Sequence, residues 1–154
     1  PRGTGYRQAL MEAGITPEPG LERLGYFTVA GGEAAMVHLL QHSSRPTAVF
    51  AESDEMAYGA IRAIRRAGLR VPDDIAMVGF DDHATADLMD LTTIRQPVGE
   101  QGALLAKSLL TALVKAAEPT DVVLETELVV RGSTVASASV YADPASSAGS
   151  PSSA

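Results

Sequence analysis

Cysteine is missing from the 154 residues, which excludes disulfides, thiolate metal sites and a nucleophilic thiol. No apolar run approaches the roughly 18 residues a membrane span needs, so no membrane contact is expected. Basic residues are also scarce: 12 Lys and Arg stand against 19 Asp and Glu, a formal net charge of −7. Proteins that grip nucleic acid unaided draw most of their affinity from neutralising phosphates and releasing counterions. An acidic chain repels the duplex, so this chain by itself is not expected to bind DNA. No charged-then-apolar leader follows Pro1. The lack of cysteine suits the cytoplasm, which is the expected compartment.

Catalytic signatures are equally sparse. The sequence has no G-x-S-x-G, no H-E-x-x-H and no G-x-x-x-x-G-K-[ST]. His38 and His42 stand four apart, a spacing that could share a metal, but no third ligand lies near them in sequence. His83 beside Asp82 could form an acid/base pair, yet no activated nucleophile accompanies it. Asp81-Asp82 could hold Mg²⁺, but neither a neighbouring lysine nor a phosphate-cradling glycine loop is present. No catalytic residue, metal or cofactor is expected, and the chain reads as a binding protein rather than an enzyme.

What the sequence does contain is an alternation of helices and strands. Tyr6, Ala9, Leu10 and Ala13 recur at helical spacing, with Gly14 where a left-handed cap belongs. Leu24 to Val29 has strand character around Tyr26 and Phe27. Gly31-Gly32 then open a helix carrying Ala35, Met36, Leu39 and Leu40 on one face. Thr47 to Ala51 is a short apolar run of the kind buried on both faces. Ser53 and Asp54 are helix-capping types, and Ala57, Ala60, Ile61 and Ile64 follow on one stripe. Arg65 and Arg66 suit the negative end of that helix, and Gly68 ends it. Ile75 to Phe80 is a second apolar strand, which completes a strand-helix-strand unit of crossover length. The fold class is α/β.

Further along, a helical turn is expected around Asp87 to Asp90, followed by an extended Leu91 to Arg95. Pro97 begins a helix whose buried stripe is expected at Leu105, Leu109, Ala112, Leu113 and Ala116. A final strand alternates, with Leu124, Thr126, Leu128 and Val130 on one face and Glu125, Glu127 and Arg131 on the other. From Ser137 to Ala154, 15 of 18 residues are Ala, Ser, Pro or Gly. That tail cannot bury enough apolar surface to offset its ordering entropy and is expected to be disordered.

Ligands of parallel α/β sheets sit beyond the carboxyl ends of the strands. Two such ends are visible, Glu52-Ser53-Asp54 and Asp81-Asp82. Their carboxylates and hydroxyl suit a polyol or a nucleoside, and Phe27 could stack on a ring. Ser53 and Asp54 also have a plainer reading, as helix caps.

Four segments carry a family resemblance in ordered spacing: RGTGYRQALMEAGI from Arg2, PTAVFAESDEMAYGAIRAIRRAGLRVPDDIAMVGFDD from Pro46, LTTIRQP from Leu91, and TELVVRGST from Thr126. Together they resemble the C-terminal half of LacI/GalR transcription regulators, over about residues 2 to 135. The resemblance implies a periplasmic-binding-protein-like fold of type I, a doubly wound parallel sheet that is incomplete here. On it, residues 1–95 are the C-terminal lobe without its first strand. Residues 96–121 cross into a helix of the other lobe, 122–136 return, and 137–154 form the tail.

The resemblance also implies function. It points to a sensor for an effector, a sugar or related metabolite, that controls transcription through lobe movement in a homodimer. Operator DNA would be reached only through an N-terminal helix-turn-helix outside this chain. Arg2, Phe27, Ser53, Asp81 and Gln96 correspond to effector-binding positions, with Asp54 as a cap or supporting residue. Ser53 stands where many members have Asn, and the stretch before Leu91 lacks a proline common there. The alternatives are an exported sugar-binding protein of a transport system and a hydrolase or phosphotransferase using Asp54, Asp81 and His83. A chain lacking the first strand is expected to be poorly stable or to aggregate by itself.

Overall fold

The computed structural model describes residues 2–115 and 121–135. Its elements are α1 (Arg2–Glu12), a single 3₁₀ turn (Pro19–Leu21), α2 (Val29–Leu40), β1 (Ala48–Phe50), α3 (Asp54–Arg66), β2 (Ala76–Asp81), α4 (Ala84–Leu88), β3 (Thr92–Arg95), α5 (Val98–Lys115) and β4 (Glu127–Val129). The four strands form one sheet in the order β1-β2-β3-β4. The first three run parallel, with Val49 opposite Met77 and Gly79 opposite Thr93. β4 returns antiparallel beside β3, pairing Leu128 with Ile94 and Glu127 with Arg95. The α/β class and a mostly parallel, open sheet follow directly.

Local chemistry accounts for the element ends. Ser53 caps α3 by accepting the Met56 N–H on its hydroxyl, and Arg65 and Arg66 occupy the last turn. Gly14 and Gly68 adopt left-handed conformations just beyond α1 and α3. Their successors close the helices, Ile15 N–H onto Leu10 C=O and Leu69 N–H onto Ile64 C=O, each a six-to-one bond.

The core lies between the α2–α3 pair and the sheet. Met36 and Leu39 from α2, Ala57, Ala60, Ile61 and Ile64 from α3, and Met77 from β2 are all buried in it. Strand alternation sends Val49 and Met77 toward this core and Phe50 to the opposite face. There the ring of Tyr6 from α1 stacks on Phe50 at 6.3 Å. The return of the chain after β4 is fixed by Ser133, which is buried. Its hydroxyl donates to Met77 C=O at 2.6 Å and accepts the Thr92 N–H at 2.8 Å.

Four expectations change. Leu24 to Val29 is not a strand. Thr28 accepts the Gly31 N–H on its hydroxyl and starts α2 at Val29, so the cap overrides the strand propensity of Tyr26 and Phe27, which form a turn at positive φ. β1 is not buried on both faces, because it lies at the sheet edge with Ala48 exposed and Val49 and Phe50 half-buried. α5 exists, but its apolar stripe is not buried: Leu105, Leu109 and Leu113 are 70%, 61% and 74% exposed. The described residues provide no second layer against that face, and Ala116 lies outside them. The last strand is confined to Glu127–Val129, with Leu128 and Val130 exposed. The low-complexity tail, 137–154, also lies outside the described residues.

Candidate functional site

β2 ends at Asp81, and the chain then turns sharply, with φ of 118° at Asp81 and 55° at Asp82. Such conformations cost on the order of 1–3 kcal/mol each for a residue with a side chain. They persist where surrounding bonds over-determine them. Here the Asp82 carboxylate accepts Arg95 Nε at 2.7 Å and Arg131 Nη2 at 2.8 Å. Burial would raise the Asp82 pKa, but the hydrogen bonds from Arg131 and Arg95 outweigh it and hold the carboxyl below its ordinary range. Asp82 is therefore committed to the frame rather than to solvent.

Asp81 faces the other way. Its Oδ1 accepts a hydrogen bond from Gln96 Nε2 and lies 3.6 Å from Nη2 of Arg2. Burial raises its pKa, with the charge of Arg2 and the bond from Gln96 opposing that shift. Arg2 also donates to the Glu52 carbonyl at the end of β1. Its guanidinium carbon sits 3.9 Å from the Phe80 ring centroid and 6.0 Å from that of Phe27. A cation held over an aromatic face in this way gains roughly 0.5–2 kcal/mol. Arg2, Phe27, Asp81 and Gln96 are thus brought together from α1, the turn before α2, the end of β2 and the exit from β3. The charges of Arg2 and Asp81 oppose each other, while Asp81 Oδ2 accepts no hydrogen bond among the described residues.

The other sequence candidates lie elsewhere. Ser53 is 2% exposed, and its hydroxyl is taken by Met56 N–H at 3.3 Å. Asp54 is not the cap of α3. It is fully buried and accepts Thr93 Oγ1 at 2.6 Å and His83 N–H at 2.8 Å. His83 does not pair with Asp82; its Nδ1 lies 2.9 Å from Glu55 Oε1. Glu55, Asp81 and His83 each place one ligand-type atom within 4.8 Å of the others, beside the Arg2 cation. His42 falls past the end of α2 and approaches Glu18 at 3.4 Å, so it shares no helix face with His38.

Phe80 is the residue that sequence reading missed. It lies on the Phe50 face of the sheet, against Phe50 and Arg2, and the positive φ at Asp81 brings that carboxylate to Arg2 as well. From this site a groove of about 910 Å³ extends along the edge of β1, which is unpaired among the described residues, lined among others by Tyr6, Leu10, Leu39, Val49 and Phe50.

The periplasmic binding protein-like domain family matches residues 1–134. The chain is 41% identical over 132 residues to the HTH-type transcriptional regulator CelR of Thermobifida fusca, covering 84% of this chain and 39% of CelR. It is 45% identical over 108 residues to the ribose operon repressor of Escherichia coli, covering 69% of this chain and 33% of that protein. The solved CelR–cellobiose complex superimposes with a TM-score of 0.82 over 86% of this chain and 41% of that one, at 41% identity. The chain therefore spans about two fifths of CelR. Fold, matched residues and relatives agree: the chain belongs to the LacI-type regulators, in their periplasmic-binding-protein-like domain.

Proposed function

We propose that this chain supplies one wall of an effector cleft in a LacI-type transcription regulator, and that the effector is a neutral polyhydroxylated molecule such as a sugar. The observation that carries the reading is the Arg2–Asp81–Gln96 cluster with Phe80 and Phe27 beside it. Opposed charges cancel across the site, so a ligand bearing hydroxyl pairs satisfies it better than an ion. The aromatic faces suit the apolar side of a pyranose or furanose ring. The solved relative holding cellobiose supports this chemistry. Binding shifts the balance between two arrangements of the regulator, and the effector leaves unchanged.

Residues 1–95 and 122–136 act as one lobe, and Gln96 starts the crossing into the other. The exposed stripe of α5 and the open edge of β1 support this division, since both offer apolar surface to further polypeptide. DNA is contacted through a separate domain, in a cytoplasmic homodimer. The test is calorimetric titration of the full-length regulator with cellobiose and with ribose, alongside operator binding by gel shift. One of the two sugars is expected to bind and to alter operator affinity. Asp81→Ala should abolish the sugar response and leave operator binding intact; an unchanged response would overturn the site.

A further inference from the structure

Asp54 is a fully buried carboxylate that the ligand-facing cluster does not use. It sits in the first turn of α3, yet Ser53 does the capping there. Its two oxygens instead reach across the sheet, Oδ1 to Thr93 Oγ1 at 2.6 Å and Oδ2 to His83 N–H at 2.8 Å. The Thr93 hydroxyl, having donated to Asp54, accepts the Asp82 N–H at 3.4 Å. Asp54 thus holds the backbone of both residues that follow Asp81, one directly and one through Thr93.

A second observation shows that the strand is shaped for this carboxylate. A Cβ added at Gly79 would lie 2.3 Å from Asp54 Oδ1 and 2.9 Å from Leu91 Cδ2. The carboxyl group occupies the slot that glycine leaves, two residues before Asp81. The turn is gripped from beneath by Asp54 and from the side by Arg95 and Arg131 through Asp82. Between these grips, Asp81 keeps the left-handed backbone that aims its carboxylate at Arg2 and Gln96.

We propose that Asp54 is a positioning residue: its buried carboxylate fixes the turn over residues 81–83 and so sets where the Asp81 carboxylate meets a ligand. The proposal rests on the effector-cleft reading for its ligand arm and on the geometry alone for its ligand-free arm. A residue that merely supports the fold would lower stability without singling out this turn or depending on Asp81.

The experiment uses the full-length regulator with Asp54→Asn, Thr93→Val and Thr93→Ser. Thr93→Val removes the donor to Asp54 while keeping the side-chain volume, and so stays informative if Asp54→Asn fails to fold. Hydrogen exchange of unliganded protein should quicken on the order of tenfold over residues 80–86 in Thr93→Val and Asp54→Asn, the expected effect of losing a bond to a charged group. Exchange over 57–66 should be unchanged, and Thr93→Ser should match the parent. Unchanged exchange over 80–86, or equal acceleration over 57–66, overturns the proposal.

In the ligand arm, cellobiose is titrated into the parent, Thr93→Val, Asp81→Asn and the double variant. Thr93→Val alone should weaken binding about tenfold and add less than about twofold on top of Asp81→Asn. Additive losses overturn it. A parent that binds no cellobiose counts against that sugar as effector, and the exchange arm then decides the role of Asp54 by itself.

Discussion

Gln96 Nε2 donates to Oδ1 of Asp81, joining the first residue beyond β3 to the last residue of β2. The bond ties the point where the chain leaves the sheet to the carboxylate that faces Arg2. Gln96→Leu should weaken effector binding about tenfold, the usual scale for a lost bond to a charged acceptor. Calorimetric titration of the full-length regulator checks this, and operator affinity should stay within about twofold of the parent.

Arg2 depends on its aromatic support as well as its charge. Phe80→Leu keeps the apolar volume and removes the ring face 3.9 Å from the guanidinium carbon. Affinity should fall by about 3- to 30-fold, corresponding to roughly 0.5–2 kcal/mol. Arg2→Lys should not restore full binding, because a compact ammonium cannot stack on Phe80 while also bonding the Glu52 carbonyl.

Asp82 and Asp81 push acid stability in opposite directions. The folded state lowers the Asp82 pKa, so its ion pairs add stability above the unfolded value of about 3.9 and lose it as pH falls below that. Asp81 is raised in the folded state, so its ionisation carries a cost at neutral pH that protonation relieves. Asp82→Asn should therefore destabilise at pH 7 and flatten the fall below about pH 4. Asp81→Asn should be neutral or stabilising at pH 7. Urea unfolding across pH 3 to 7 separates the two.

The exposed stripe of α5 has a physical cost. Leu105, Leu109 and Leu113, with Leu110 and Val114 alongside, present an apolar surface that water does not solvate well. Together with the edge of β1, which is unpaired among the described residues, it should make the isolated chain prone to self-association. Light scattering should detect aggregates of residues 1–154 at micromolar concentration. Leu109→Glu with Leu113→Glu should reduce them. A cooperative thermal transition from a dilute monomer of the unaltered chain would contradict the expectation.

The parts of the fold legible in sequence were those with a local cause. The unit from β1 to β2 could be read because Ala57, Ala60, Ile61 and Ile64 keep helical period between two short apolar runs. The turn at Tyr26 and Phe27 was misread because two aromatics suggest a strand, while one hydroxyl on Thr28 decides where α2 begins. For α5 the period correctly marked a helix, but period alone does not supply something to cover its apolar face. At the site, the strand-end rule reached Asp81 and offered Phe27 as a stacking aromatic, whereas Arg2 and Gln96 came through family resemblance. Phe80 was open to discovery from alternation along β2. The bonds of Asp54 were not, since they depend on the register that brings Thr93 beside Gly79.

The slot beneath β2 has a consequence for how this sequence can drift. Asp54 Oδ1 fills the space that any Cβ at position 79 would claim. A side chain at 79 would have to displace both the Asp54 carboxylate and the Leu91 methyl, so the strand accepts one only if both give way. What position 79 can hold is thus set by a residue a whole helix away in the chain.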